Sequence, residues 1–212
     1  MSDLVQHLPL FAAAYAILVV AAASPGPAVA LLLGIGLGQG RRAALLTATG
    51  IACGSVVINA ATMVGVGLLL AEAAWAMTLL RLLGAGYLLW LAWGAFRKAR
   101  SGAAVPEAAP QPIRSAGALW STGFLLQVTN PKAIVFWLAI AAVGATAGGG
   151  ALTHAAFLAG AFAISFVIHG AWALALSSSP VRVLYGRFRR RIEGALGAFF
   201  AFAALKMALA RS

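Results

Sequence analysis

Charge is what this chain of 212 residues has least of: 9% of it is Asp, Glu, Lys or Arg, where a soluble domain carries roughly 25%. The polar stretches are too short to bury a core of their own, so a soluble domain is excluded. Acid is scarcer still. Asp3, Glu72, Glu107 and Glu193 are the four acidic residues, and each falls at a terminus, in a loop or at the edge of an apolar run. That leaves no carboxylate pair for acid–base chemistry. There is no zinc-binding helix motif and no serine–lysine or serine–histidine nucleophile; Ser165 and His169, four residues apart, make a pairing at chance level. The chain is read as not an enzyme, with no metal site and no cofactor. The single cysteine, Cys53, gives neither a disulfide nor a CxxC pair, which excludes a membrane thiol-electron carrier. Inside an apolar run it is expected to be small and buried. No Lys or Arg precedes the first apolar run, so the basic start of a secretory signal is lacking and that run is read as a retained span.

What is abundant is apolar. Hydrophobic residues make up 63% of the chain and the mean hydropathy is +0.97. Several runs exceed the ~18 residues that argue for a membrane span. The expected fold is all-α: a polytopic membrane protein, a single membrane domain over residues 1–212 with six transmembrane helices. The spans fall at about 8–37, 43–70, 75–96, 116–147, 151–177 and 192–209. Span 2 is rich in small residues, which let membrane helices approach closely. It also carries Ser55, Asn59 and Thr62 on one helical face. Tyr87, Trp90 and Trp93 come toward the end of span 3, as interfacial aromatics do. Short turns at 71–74 and 148–150 and a basic loop at 178–191 separate further spans. Glu193 and Lys206 trim span 6 and are placed to snorkel. Residues 97–115, with three prolines, form a flexible connector between repeat one (about 8–96) and repeat two (about 116–210).

The formal charge of +11 is not a nucleic-acid signal, because the basic residues sit in short loops. Arg41 and Arg42 follow span 1. Arg97, Lys98, Arg100 and Arg114 follow span 3. Arg182, Arg187, Arg189, Arg190 and Arg191 follow span 5. The loops after spans 2 and 4 hold none. The positive-inside rule therefore puts the odd-numbered loops in the cytoplasm and both termini outside. Anionic lipid headgroups are natural neighbours for such loops. Three spans per half make the halves inverted with respect to each other.

Two interruptions occupy corresponding places in those halves: Ser24-Pro25-Gly26-Pro27 in span 1 and Asn130-Pro131-Lys132 in span 4. Proline removes an amide donor and blocks the turn before it. Backbone left unpaired in hydrocarbon costs several kcal/mol, on the order of a lost buried hydrogen bond or more, and is tolerated only against protein or a watery cavity. A pair of proline-interrupted spans in matching positions points to the binding site of a transporter built from inverted repeats.

At these residues the chain resembles the LysE/RhtB family of amino-acid exporters. The resemblance runs through Ser24-Pro25-Gly26-Pro27, Gly40-Arg41-Arg42-Ala43, Gly50-Ile51-Ala52-Cys53-Gly54, Leu83-Gly84-Ala85-Gly86-Tyr87-Leu88-Leu89-Trp90 and Asn130-Pro131-Lys132-Ala133. It covers nearly the whole length. It implies a bacterial inner-membrane protein that exports an amino acid or similar small metabolite, driven by the proton gradient. Two positions depart from the family pattern. Many members carry Asn or Asp after the proline motif, where this chain has Ala28, and many carry Asp soon after the span 2 glycines, where it has Ser55. Both changes remove polar or acidic groups from the presumed site.

The residues expected to bind substrate are Ser24, Pro25, Gly26, Pro27, Ser55, Asn59, Asn130, Pro131 and Lys132. Against this, a proline break is also a common packing kink, a serine or asparagine also serves as interhelical glue, and a lysine also snorkels or caps freed carbonyls. Lys132, a cation at membrane depth, is by default a functional-site residue that would meet a substrate carboxylate. His169 in span 5 is the proton-coupling candidate, since imidazole titrates near neutral pH; its bland role is helix packing. Arg81, about two turns into span 3, is a gate candidate or a snorkelling cation. The expected function is secondary active export by alternating access, with a passive channel or a subunit of a larger complex as the alternative. A small-molecule substrate and membrane lipid are the expected partners. The Gly- and Ala-rich faces are compatible with a homodimer and serve packing within the chain equally well.

Overall fold

Helices form where the apolar runs lie and stop where proline, glycine or asparagine interrupts them. The structure, a computed structural model, describes residues 2–72, 74–101 and 114–209. α1 (Ser2–Ala23) ends at the first proline break, and α2 (Pro27–Glu72) begins on its second proline. α2 is not one rod. Gly40 takes φ 85°, a left-handed conformation that glycine adopts without steric cost, and divides it into stretches 27–39 and 41–72. α3 (Ala74–Ser101), α4 (Ala116–Thr129), α5 (Pro131–Ala142), α6 (Ala151–Leu176) and α7 (Ser179–Leu209) complete the order. No strand occurs among the described residues, so the fold is all-α.

The first expected span is α1 with the first stretch of α2, the fourth is α4 with α5, and the fifth is α6. Among the described residues three helical segments are long and apolar enough to cross a membrane, Leu4–Ala23, Pro27–Gly65 and Ala151–Leu176; α4 and α5, bent by 60° at Asn130, make a fourth when counted together.

Several expectations need correction. Of the loop expected at 178–191, residues 179–191 are helical. α7 starts at Ser179 with Pro180 in its first turn, where a missing N–H leaves no bond unmade. The arginines that follow are strong helix formers; their charge keeps the segment out of hydrocarbon without opposing the helix. Residues 97–101 likewise continue α3, while 102–113 of the connector lie outside the described residues. Glu193 does not snorkel: it is 3% exposed. Cys53 is half-buried rather than buried. The expected turn at 71–74 is helical up to Glu72 and from Ala74, residue 73 lying outside the described residues.

The helices assort into two compact units. α1, α2 up to Gly67, α4, α5 and α6 form one; the end of α2 from Leu68, α3 and α7 form the other. In the first unit α2 and α4 meet backbone to backbone. A Cβ on Gly50 would overlap the carbonyl oxygen of Trp120, one on Gly123 that of Thr47, and one on Gly54 would stand 2.8 Å from Gln127 Cβ. The glycines of the span 2 motif are therefore where two helices touch. Two apolar clusters complete this unit. One gathers Phe11, Leu18, Trp137, Ile140 and Phe157; the other gathers Ala28, Leu32, Ile35, Ile51 and Leu119.

In the second unit the Phe96 ring lies against Gly197 of α7, so close that a Cβ on that glycine would stand 2.8 Å from the ring. Arg190 Nε donates to Ala99 O at 3.0 Å. A cleft of about 530 Å³ is lined by Phe96, Ala99, Arg100, Arg187, Arg190 and Arg191. Trp90 and Trp93 of α3 are exposed, as lipid-facing aromatics are.

Candidate functional site

The first break can be followed one backbone group at a time. Pro25 has no N–H to offer Ala21 O, and Pro27 none to offer Ala23 O, so α1 ends with carbonyls that the helix ladder cannot satisfy. Ser24 repairs one of them: its Oγ donates to Ala21 O at 2.8 Å. On the far side of the break α2 restarts, with Ala30 N donating to Gly26 O at 2.9 Å. Pro27 takes the first helical position, where its fixed φ suits the helix and its lost donor would have been an orphan anyway.

The second break turns on one residue. Asn130 closes α4 through its N–H to Gln127 O at 3.1 Å. It also opens α5, its Oδ1 accepting from Lys132 N at 3.1 Å. Pro131 sits at the first turn of α5 for the same reason as Pro27 does in α2.

Lys132 joins the two breaks. Its Nζ donates to Ser24 O at 2.8 Å and also to Ser24 Oγ. Ser24 and Lys132 are 2% and 7% exposed. The ammonium thus lies at the C-terminal end of α1, where the helix dipole and free carbonyls favour a cation. Gly26 leaves it room, because a Cβ there would stand 3.1 Å from Lys132 Nζ.

Beside this pair runs a buried chain of hydrogen bonds. Gln127 Nε2 donates to Ser55 Oγ at 2.8 Å, and Ser55 Oγ meets Ser165 Oγ at 3.1 Å. His169 Nδ1 lies 2.8 Å from Ser165 O and 3.3 Å from Ser165 Oγ. A carbonyl only accepts, so the network assigns the proton to Nδ1 and leaves Nε2 with the lone pair. Gln127 Oε1 is buried without a partner.

Most of these groups line a cavity of about 40 Å³, room on the scale of one water rather than an amino acid. Its wall has three chemical faces. Ala21, Ala22 and Ser24 bring the carbonyl end of α1. Pro27 to Val29, and Asn130, Lys132 and Ala133, bring the first turns of α2 and α5, whose amides have no intrahelical acceptor. Ser55, Gln127 and His169 bring side-chain polarity. Among the described residues Lys132 is the one formally charged group, and no carboxylate lines the wall. Leu18, Trp137 and Ile140 belong both to the wall and to the first apolar cluster, and Ala28 both to the wall and to the second. Apolar side chains from both clusters therefore form part of the wall. A carboxylate would be drawn to the amide ends and an ammonium to the carbonyl end, which is the charge pattern of a zwitterion.

Of the residues singled out from sequence, Ser24, Gly26, Pro27, Ser55, Asn130, Lys132 and His169 line this cavity; Pro25 and Pro131 shape the breaks without lining it. Ala28 and Ser55, the two departures from the family pattern, are both in the wall. Asn59 is not. It lies one turn beyond Ser55, 1% exposed, with both amide atoms unpaired. The side chain of Arg81 lies outside the described residues. Gln127 escaped the sequence reading, although an amide inside an apolar run, three residues before Asn130, was a signal that could have found it. No group of three or more His, Cys, Asp or Glu able to hold a metal occurs among the described residues.

Comparison with known proteins bears on the family of the whole chain. The model of the LysE type translocator family matches residues 19–211. The threonine efflux protein of Escherichia coli (strain K12) is 30% identical over 178 residues, covering 81% of this chain and 84% of that protein. The threonine efflux protein of Salmonella typhi is 28% identical, covering 81% and 84%. The uncharacterized membrane protein YahN of Escherichia coli (strain K12) is 27% identical, covering 79% and 74%. No solved structure matches.

Proposed function

Because this chain belongs to the LysE type translocator family, we propose that it is a secondary active exporter of a neutral amino acid or similarly small zwitterion, working by alternating access around the two broken helices. It is a transporter of the membrane and not an enzyme. The observation that carries the reading is the reach of Lys132 from one break to Ser24 of the other, at a cavity with no carboxylate among its described lining residues. A site of that charge favours zwitterions over cationic amino acids. The threonine efflux relatives make threonine the first substrate to try. The apolar residues that the two clusters contribute to the cavity wall speak against a passive channel, which needs a continuous wet path.

Six spans in two inverted repeats remain our reading of the architecture. The make-up of the two units supports it. Spans 1, 2, 4 and 5 contribute to the first and spans 3 and 6 to the second, so each unit takes corresponding spans from both halves. The odd-numbered loops are cytoplasmic and both termini outside. A reporter enzyme fused after Arg97 will be active only as a cytoplasmic fusion; periplasmic activity there would overturn this orientation.

Export is driven by the proton gradient, with His169 as the proton carrier: among the described residues no acidic side chain lines the cavity, and His169 brings its one imidazole, a side-chain type that carries protons in many proteins. The test is efflux from loaded vesicles of threonine, lysine and glutamate, with and without an uncoupler, over a range of pH. We expect uncoupler-sensitive, saturable efflux of threonine, with lysine excluded. His169→Ala will flatten the pH dependence of that efflux. Efflux that ignores the uncoupler would favour a channel, and an unchanged pH profile in His169→Ala would remove this residue from the proton path.

A further inference from the structure

We infer that in the empty carrier the ammonium of Lys132 occupies the seat of the substrate's own ammonium group, so that the side chain acts as a tethered stand-in for substrate; this rests on the exporter reading for its meaning but not for its first test. The seat is built from backbone. Pro25 and Pro27 deny the last turn of α1 its usual donors, and the carbonyl of Ser24 faces the cavity. Nothing in the local chain supplies a cation. Lys132 comes from 108 residues away to donate to Ser24 O at 2.8 Å and to Ser24 Oγ. Gly26 is the residue that permits it, since a Cβ would stand 3.1 Å from both Lys132 Cδ and Nζ.

Two further observations point to a ligand. Gln127 Oε1, in the same wall, is buried and unpartnered. A buried acceptor without a donor is costly to keep. An α-ammonium or a hydroxyl brought by substrate would satisfy it. The cavity of about 40 Å³ admits an amino acid only after the lysine side chain withdraws. The exchange balances in charge. The incoming ammonium replaces the outgoing one on Ser24 O. The displaced Lys132, at the first turn of α5, can then meet the substrate carboxylate beside the α5 amides. A carrier returning empty must close over a seat that is filled; Lys132 fills it. In substrate-for-substrate exchange the seat holds a substrate ammonium in both directions and the lysine is needed less.

The first test needs no transport. Wild type and Lys132→Ala, purified in lipid nanodiscs, are titrated with ethylammonium chloride and separately with sodium acetate, and thermal unfolding is followed. Ethylammonium will raise the Tm of the variant and leave the wild type unmoved, while acetate will not raise the Tm of the variant. A variant that ethylammonium neither binds nor restores, or an equal response in both proteins, would overturn the inference. The second test uses Lys132→Met, which keeps the bulk and loses the charge. In proteoliposomes the ratio of net threonine efflux to threonine exchange will fall roughly tenfold or more, the scale of one charge-assisted hydrogen bond; an unchanged ratio would count against the stand-in. The two readings fail separately. Ethylammonium binding without any wild-type efflux removes the exporter and keeps the seat. Efflux without ethylammonium binding does the reverse.

Discussion

Gly123→Ala is expected to destabilise the protein more than any other single methyl addition in α4. The reason is geometric. A Cβ at Gly123 would run into the carbonyl oxygen of Thr47, and the reciprocal position, Gly50, faces Trp120 O. Both obstacles are backbone, so no side chain can rotate away and the helices must separate. Overpacking of this kind costs about 1–3 kcal/mol or more, out of a total stability on the order of 5–15 kcal/mol. For a chain of this size that is a fall in Tm of roughly 2–4 °C per kcal/mol. The control lies in the same helix: a Cβ on Gly117 meets nothing within 4 Å, so Gly117→Ala should leave Tm where it is or raise it slightly. Thermal unfolding of the purified protein decides the matter. Equal behaviour of the two variants would mean that α2 and α4 do not cross there. The same separation would stretch the bond from Gln127 to Ser55, so efflux should fall with stability.

Restoring the helix at the first break should do the opposite: raise stability and abolish transport. In the double variant Pro25→Ala, Pro27→Ala, the returned amides can donate to Ala21 O and Ala23 O, and α1 can run on through residues 24–26. Helix-breaking proline costs about 3 kcal/mol, so Tm should hold or rise. The carbonyl that now receives Lys132 would be turned into the helix ladder. With the cation seat lost, efflux should fall about a hundredfold, the equivalent of ~2.7 kcal/mol, with the protein still in the membrane in normal amount. Pro25→Ala alone should act in the same direction and less strongly. Pro131→Ala should be milder again, because Asn130 still caps α5 through Lys132 N and ends α4 with or without the proline. Normal efflux in all three variants would show that the breaks are packing kinks and not a binding site.

Much of this protein is legible in its sequence because membrane-spanning structure is dictated locally. Hydrocarbon leaves the backbone no partner but its own helix, so apolar runs become helices and prolines mark where they stop. The break at Ser24–Pro27, the break at Asn130 and the helix at 151–176 follow from that rule, as does the all-α fold. The rule misled at 178–191, where a run of arginines read as a loop. Charge decides whether a segment enters the bilayer, but it does not prevent a helix beside it.

The site divides along the same line. That Lys132 is special was legible, since a cation at membrane depth needs a reason. Which groups meet it was not. Ser24 and Lys132 are 108 residues apart, and only the packing of α1 against α5 brings them together. Ser55, Gln127, Ser165 and His169 form one chain of bonds drawn from three helices. Their order depends on which face each helix turns inward, and a helix polar at one or two positions has no periodic pattern strong enough to fix that face. Asn59 shows the limit. It shares its helical face with Ser55 and looked equivalent, yet one turn of rise, about 6 Å over four residues, carries it past the cavity wall. By itself the sequence determined where the backbone must break, because proline chemistry is local. Only the tertiary structure decided which side chain answers each broken bond, because that depends on contacts between distant helices.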